Sequence, residues 1–366
     1  MEHYTGTQRV AETHAFDAAA LQEFLRHALS GFAGPLTVEQ FKGGQSNPTY
    51  KLITPGRAYV LRTKPGPAAK LLPSAHAIER EFRVMAALSA DPGQAVPVPR
   101  MQLLCEDEAV IGRAFYVMDF MDGRVLWDQS LPGMSLAERG AIYDEMNRVI
   151  AALHGVDVAA VGLADYGKPG NYFERQIGRW SKQYLASVTE TITEMDHLID
   201  WLPTHLPAGA RDTAAPAIVH GDFRLDNLIF HAIEPRVIAV LDWELSTLGH
   251  PLADFSYHCM AWHIPPGVFR GIAGLDLPAL GIPAETDYIR RYCERTGRSD
   301  PAALAAEWNF YLAYNLFRLA SITQGIARRV VDGIASSAQA RATGAATRKL
   351  AQMAWGFARR HDASTG

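Results

Sequence analysis

An α+β fold in two lobes, an antiparallel sheet ahead of a larger and mainly helical half, is what the sequence predicts. Three observations carry that reading. The chain has 366 residues, more than a single hydrophobic core usually organises. Short apolar runs broken by Gly, Pro and Asn crowd the region from 36 to 121, the pattern of strands joined by hairpins. From Ser135 onward the apolar spacing turns to three and four, the period of helices that bury one face. The expected lobes are residues 1–119 and 120–366.

Phe16 to Leu29 opens the chain with Leu21, Phe24, Leu25 and Ala28 at helical spacing. Leu36 to Phe41 and Thr49 to Ile53 follow as strands around Lys42-Gly43-Gly44-Gln45-Ser46-Asn47. Gly43 and Gly44 would let backbone amides approach a phosphate with no Cβ in the way, and Ser46 and Asn47 could add hydrogen bonds. An ordinary hairpin turn accounts for the same residues. Ala58 to Arg62 reads as the third strand, and Arg62 brings a fixed charge in a planar fork to its end. Lys64, two residues on and so on the same face, is the alternative cation. A helix from Ser74 to Leu88 would bury Ile78, Phe82, Met85 and Leu88. At 100° per residue Glu81 falls inside that arc, whereas Glu79, Arg80 and Arg83 read as solvated surface. A carboxylate on a buried face needs a cationic partner, and Arg62 is the one expected. Ala114 to Met121 is a further apolar strand, running into Asp122-Gly123.

In the second half Ser135 and Glu138 have the spacing of a capping box, opening a helix to about His154. Asn171 is the expected cap of another, whose Phe173, Ile177, Trp180, Tyr184 and Val188 read as core. The stretch from Ile218 to Glu244, IVHGDFRLDNLIFHAIEPRVIAVLDWE, sets three polar residues in an apolar frame: Asp222, Asn227 and Asp242. Leu228 to Phe230 and Val237 to Leu241 read as strands around a turn. With the turn centred between Glu234 and Pro235, Asn227 would oppose Asp242, their Cβ atoms roughly 4.5–5.5 Å apart. An amide and a carboxylate placed so suit a hard cation such as Mg²⁺, which takes oxygen ligands and shares them with phosphate. A further carboxylate, Asp222, could orient or deprotonate a hydroxyl. His220 reads as a loop brace and Asp254 as a cap or a partner of that loop. Arg224 could touch substrate or neutralise the acids beside it.

Composition excludes several functions. A net charge of −4 gives no reason to expect nucleic acid or an anionic membrane as partner. Cys105, Cys259 and Cys293 are too scattered for a metal or redox motif, and no run reaches about 18 apolar residues. A cytoplasmic protein is the expectation. From His250 onward thirteen Lys or Arg outnumber nine Asp or Glu, which disfavours a polycationic substrate.

The order Asp222, Asn227, Asp242 resembles the kinase pattern of a catalytic-loop Asp, a metal-binding Asn and a second metal-binding Asp. With His-Gly-Asp for His-Arg-Asp and Asp242-Trp243-Glu244 for Asp-Phe-Gly, the chain resembles the aminoglycoside/choline kinase-like phosphotransferases. HGDFRLDN, LDWELSTLGHPLADF, FKGGQSN and YVLRTKP are most similar to the kinase-like domains fused to, or encoded with, acyl-CoA dehydrogenases. The resemblance implies a bilobal protein-kinase-like fold and ATP with Mg²⁺ as cofactors. It also implies Gly43, Gly44, Gln45, Ser46 and Asn47 over the phosphates and Arg62 paired to them. Protein kinases carry lysine at that strand position, whereas choline kinases also appear with arginine. By the same resemblance Glu81 would brace Arg62, and Asp119, Phe120 and Met121 would meet adenine through their main chain. Asn227 and Asp242 would hold the metal, and Asp222 would act on the acceptor hydroxyl. That hydroxyl belongs to a small metabolite, a hydroxyacyl-CoA or related hydroxy acid among the candidates. An antibiotic kinase and a nucleotide-binding regulator without transfer activity are the other readings.

Overall fold

The computed structural model describes residues 6–42, 47–64, 78–91, 93, 95–168, 170–211, 216–267, 269–335 and 337–365. By its contacts the chain divides into two units. Residues 1–127, 159–163 and 226–246 form the first; residues 128–158, 164–225 and 247–366 form the second.

The first unit is built on a six-stranded antiparallel sheet of β1 (Thr7–Gln8), β2 (Thr37–Phe41), β3 (Thr49–Ile53), β4 (Ala58–Thr63), β5 (Met101–Cys105) and β6 (Phe115–Asp119), in the order β1-β2-β3-β4-β6-β5. Helix α1 (Ala18–Ala28) starts at Asp17, whose carboxylate accepts the amides of Ala19 and Ala20 at 2.9 and 3.0 Å. Side chains alternate across a pleated strand, so Tyr50 and Leu52, Tyr59 and Leu61, and Phe115 and Val117 share one face. There they form a single cluster with Leu21 and Leu25 of α1. The alternate residues, Val60, Arg62, Tyr116 and Met118, look the other way, and α2 (Ile78–Ser89) contacts β5 and β6. Ser74, the expected start of that helix, lies outside the described residues. Its buried residues are Ile78, Glu81, Val84, Met85 and Leu88, so Val84 fills the place expected of Phe82, which is half-buried. A second sheet of the same unit has the order β10-β9-β7, from β7 (Arg124–Val125), β9 (Leu228–Phe230) and β10 (Val237–Val240). Gly123 permits its close packing, because a Cβ there would lie 2.3 Å from the carbonyl oxygen of Phe230.

In the second unit α3 (Leu136–Gly155) opens with the capping box. The Glu138 carboxylate accepts the Ser135 amide at 2.8 Å, and the Ser135 hydroxyl accepts the Glu138 amide at 3.3 Å. Helix α4 (Tyr172–Ser187) follows Asn171, but Asn171 is left-handed (φ 48°) and makes no side-chain cap, a departure from the expected role. Phe173, Ile177, Trp180 and Tyr184 are buried as expected. Next come α5 (Thr193–Thr204), α6 (Ala208–Arg211) and a two-stranded ribbon of β8 (Ala217–Val219) and β11 (Thr247–Gly249). Helices α7 (Pro251–Cys259), α8 (Leu277–Leu280), α9 (Glu285–Thr296), α10 (Pro301–Val331), α11 (Ala338–Ala345) and α12 (Thr347–Thr365) complete the unit. Most of α10 from Trp308 to Gln324 is buried, and the helix packs on α4, α7 and α12. A helix apolar on all sides belongs inside a larger unit or a membrane. Among the described residues no helix is long and apolar enough to cross a membrane.

His258 of α7 is buried, with its Nε2 2.8 Å from the Tyr288 hydroxyl and its ring edge-on to Phe223. Burial pushes its imidazole pKa down to about 4, against the pull of Asp254 and a hydrogen bond to the Phe223 backbone. Below the ordinary value of about 6.5 the unfolded chain therefore binds a proton that the folded chain refuses. Stability should fall between about pH 6.5 and 4, by about 3 kcal/mol from this residue alone. Urea midpoints for the native chain and His258→Gln, followed across that range, isolate the contribution; parallel curves would refute it.

Candidate active site

In the first unit β4 and β6 pair antiparallel with Arg62 opposite Tyr116, which sets both side chains on the face that α2 approaches. Helix α2 delivers Glu81 there, 1% exposed. Arg62 Nε lies 3.1 Å from Glu81 Oε2, close enough for an ion pair but not aligned as a hydrogen bond. The Tyr116 hydroxyl donates to Oε2 at 3.1 Å and Asn47 Nδ2 to Oε1 at 3.0 Å. The other end of the guanidinium meets two more acids: Nη2 is 3.0 Å from Asp242 Oδ1 and 3.7 Å from Glu244 Oε2. One arginine thus serves three carboxylates. Burial works against its charge, but Glu81, with Tyr116, Asp242 and Glu244 behind it, outweighs that and holds the guanidinium pKa above its ordinary value. For Glu81 burial pushes the carboxyl up and Asp242 adds to it, while Arg62 pulls the other way; the net displacement is upward.

The alternative cation, Lys64, is engaged by Glu79, which is half-buried rather than the solvated surface residue expected. Asn47 is fully buried on Glu81, whereas Gly43, Gly44, Gln45 and Ser46 lie outside the described residues. Asp119 ends β6; its amide donates to the Arg100 carbonyl at 3.0 Å and its carboxylate accepts from Arg57 and Gln102 at 2.7 and 2.6 Å. Phe120 is half-buried under the Lys51 ammonium, 3.9 Å from its ring centroid, and Met121 is half-buried beyond it.

The hairpin corrects one expectation. Val240 pairs with Leu228, and the Leu241 amide donates to the Asn227 carbonyl at 2.9 Å, so Asn227 opposes Leu241 and not Asp242. A bulge between Val237 and Ala239 puts one extra residue on β10. The turn also centres one residue earlier, with the His231 amide on the Arg236 carbonyl at 2.7 Å. Arg124 grips it there through the carbonyls of His231, Ile233 and Glu234. Asp242 leaves the strand in a left-handed conformation (φ 64°), ahead of a short 3₁₀ turn at Trp243–Leu245. Asp tolerates that region better than most residues, and a non-glycine residue held there is worth a functional hypothesis. Asn227 is buried.

In the second unit β8 leads into His220-Gly221-Asp222, where Gly221 takes φ 81°, a conformation that glycine adopts without strain. Its partner β11 leads into α7, and Asp254 reaches back from that helix to accept the amides of His220 and Gly221 at 2.6 and 2.9 Å. His154, held by the Tyr292 hydroxyl at 2.7 Å, stands 3.3 Å from the same carboxylate. Burial would raise the Asp254 carboxyl, yet His154 and the loop amides keep it below the usual carboxylate range. His220 is the expected brace: its Nδ1 accepts the Asp222 amide at 3.2 Å. From the opposite side Arg318 of α10 donates to the Gly221 carbonyl at 2.6 Å. The Asp222 side chain is therefore carried on a loop fixed at both backbone faces. Arg224 Nη2 lies 3.0 Å from its Oδ2, and the Tyr257 hydroxyl donates to its Oδ1 at 2.6 Å.

Sequence reading missed Tyr116, Tyr257, Glu244 and Arg318. Glu244 and Tyr257 had local signals, two residues beyond Asp242 and one helical turn beyond Asp254. Tyr116 becomes visible only once β4 and β6 are known to be neighbours, and Arg318 had no signal in the sequence.

A phosphotransferase enzyme family model, APH, matches residues 37–306 and so takes in both clusters. The chain belongs to this family. The family is one of phosphotransferase enzymes, the reaction class that the sequence resemblance implies. A relative from Mus musculus, acyl-CoA dehydrogenase family member 10, is 46% identical over 355 residues, which is 96% of this chain and 32% of that protein. The chain therefore spans about a third of that relative, and the expected likeness to kinase-like domains associated with acyl-CoA dehydrogenases holds. A crystal structure from Ralstonia eutropha JMP134, described as a candidate aminoglycoside phosphotransferase, is 62% identical with a TM-score of 0.85, covering 94% of this chain and 99% of that one. Aminoglycoside phosphotransferase APH(4)-Ia, crystallised as a thermostable mutant with AMP-PNP and hygromycin B, is 17% identical with a TM-score of 0.56 over 95% of this chain and 99% of its own. At that identity the likeness concerns fold, and it places the α+β architecture among the kinase-like phosphotransferases, as the sequence predicts.

Proposed function

We propose that the chain is an ATP- and Mg²⁺-dependent kinase that phosphorylates a hydroxyl of a small metabolite. The observation that carries this is the one arginine, its side chain 12% exposed, shared by Glu81, Asp242 and Glu244, a fixed cation set beside the carboxylates that a nucleotide phosphate and its metal would engage. The complex of APH(4)-Ia with AMP-PNP, a non-hydrolysable ATP analogue, supports the choice of nucleotide by analogy.

The donor set fits Mg²⁺. Asn227 and Asp242 offer hard oxygens, and among the described residues no group of three or more His, Cys, Asp or Glu is placed to hold a metal without help. A site with one or two protein oxygens completed by phosphate is how Mg²⁺ usually binds. When bound it supplies charge neutralisation on the phosphates. Arg62 offers its guanidinium to phosphate oxygens, and Glu81 fixes the plane of that guanidinium through the ion pair. The Asp119 amide is committed to the sheet, so adenine would meet the main chain at Phe120 or Met121. Gly43, Gly44, Gln45, Ser46 and Asn47 remain the proposed phosphate loop. Asp222, held by Tyr257 and Arg224, orients the acceptor hydroxyl and takes its proton as the new O–P bond forms. The bond between the β,γ-bridging oxygen and the γ-phosphorus breaks, and ADP leaves with that electron pair. Such transfer depends on positioning and charge stabilisation more than on covalent chemistry.

The acceptor proposed is a hydroxyacyl-CoA or a related hydroxy acid, which suits both the basic stretch from His250 onward and the acyl-CoA dehydrogenase relatives. ADP release over a panel of hydroxylated metabolites tests the reading, and AMP-modified product would overturn phosphoryl transfer. Asp242→Ala should remove the Mg²⁺-dependent part of ATP affinity, roughly a hundredfold or more if both ligands are needed. Titration calorimetry with Mg²⁺ or EDTA reads it; equal affinity in the native and variant chains would discard Asp242 as a ligand.

A further inference from the structure

Tyr257 stands one turn beyond Asp254 on α7, so the helix that braces the loop backbone also presents a phenol to the loop's carboxylate. Its hydroxyl donates to Asp222 Oδ1 at 2.6 Å, short for a neutral donor and typical of one bound to an anion. The ring is buried, 7% exposed, and the Arg318 guanidinium lies over it 4.8 Å from the centroid. That guanidinium also donates to the Gly221 carbonyl, the residue before Asp222, so ring and loop share one clamp. Burial first, then the negative charge of Asp222, push the phenol's pKa well above 10, and the hydroxyl stays a donor at any physiological pH.

We infer that Tyr257 is a positioning residue of the transfer reaction, its hydroxyl fixing the rotamer of Asp222 and so the direction from which that carboxylate meets the acceptor hydroxyl. The inference rests on the reading of Asp222 given above. With Oδ1 bound to the phenol and Arg224 beside Oδ2, the carboxylate cannot rotate without breaking a charge-assisted hydrogen bond. The nucleotide residues proposed above belong to the first unit and Tyr257 to the second, so its loss should appear in the chemical step. A misplacement of the base by about 1 Å costs on the order of a hundredfold in rate, so Tyr257→Phe should lower kcat by about ten- to a hundredfold.

Two measurements test it. Kinetics on the acceptor returned by the metabolite panel should show kcat reduced in Tyr257→Phe with the KM for ATP within about twofold of native. In an Asp222→Asn background the same change should cost nothing further, since the coupling runs through that carboxylate. Incorporation of 3-fluorotyrosine at 257, close to native in shape, should keep kcat within a few-fold of native, the rescue that a purely packing role for the hydroxyl would not require. Independently of activity, the ¹⁹F resonance of that residue should move when Asp222 becomes Asn. An unmoved resonance, or a Tyr257→Phe kcat equal to native beside an inactive Asp222→Asn, overturns the inference and leaves the role of Asp222 standing. Full activity in Asp222→Asn overturns the underlying reading instead.

Discussion

Asp222→Asn is expected to lower phosphoryl transfer by about a hundredfold to ten-thousandfold while ATP still binds with near-native affinity. Positioned acid–base groups contribute on that scale, and the substitution keeps the size of the side chain while removing the basic oxygen and the charge that Arg224 pairs with. An Asn Oδ1 can still accept from Tyr257, so the loop should hold its place. That loop is fixed through its backbone by Asp254 and Arg318, neither of which depends on the Asp222 charge. The nucleotide residues proposed here lie in the other unit, around Arg62, which is why affinity for ATP should survive. Calorimetry of ATP binding beside an ADP-release assay checks both halves. A folded variant that has lost ATP would move Asp222 from the acceptor to the nucleotide, and a variant with full turnover would remove it from the chemistry.

What could be read from the sequence was whatever depended on local periodicity. Glu81 was legible as a buried acid because three apolar neighbours one or two turns away define the helix face it shares. Arg62 followed as its partner because strand parity places it on the face opposite Leu61, away from the α1 cluster. The capping box at Ser135 and the brace roles of His220 and Asp254 were legible for the same reason: each is a pattern within a few residues. The hairpin register was not. It turned on a bulge and on a turn gripped by Arg124, more than 100 residues earlier in the chain, and no spacing inside 218–244 reports that grip. Strand β5 was passed over because Met101 to Leu104 are only half-buried, which weakens alternation. Tyr257 had only its place one turn beyond Asp254 to mark it, and an aromatic on an otherwise buried helix reads as core. Asn47 was legible as a site residue but not as a buried donor to Glu81, since its partner is brought by another element.

Arg62→Ala should destabilise the first unit by about 3–5 kcal/mol, because it leaves Glu81 buried without its cation. Asn47 and Tyr116 would still donate to that carboxylate, but Asp242 and Glu244 would then face it without the Arg62 charge they share. Glu81 already titrates above the ordinary carboxylate range, and removal of Arg62 raises it further. A carboxyl whose folded pKa lies above its unfolded one loses stability as pH rises between the two values, because the unfolded chain then releases the proton first. The cost of Arg62→Ala should therefore be greater at pH 8 than at pH 5, a slope that urea midpoints at the two values would read. Adding Glu81→Gln removes the orphaned charge and should return most of the lost stability. It should not return ATP affinity, because the phosphate partner is still missing. Arg62→Lys separates charge from geometry: it keeps the cation but not the fork that reaches Glu81 and Asp242 together, and should fall between native and alanine in both properties. If the Arg62→Ala, Glu81→Gln pair binds ATP as the native chain does, Arg62 is a counter-ion of Glu81 and nothing more. If it is stable yet blind to ATP, the guanidinium at the end of β4 holds the nucleotide as well as the fold.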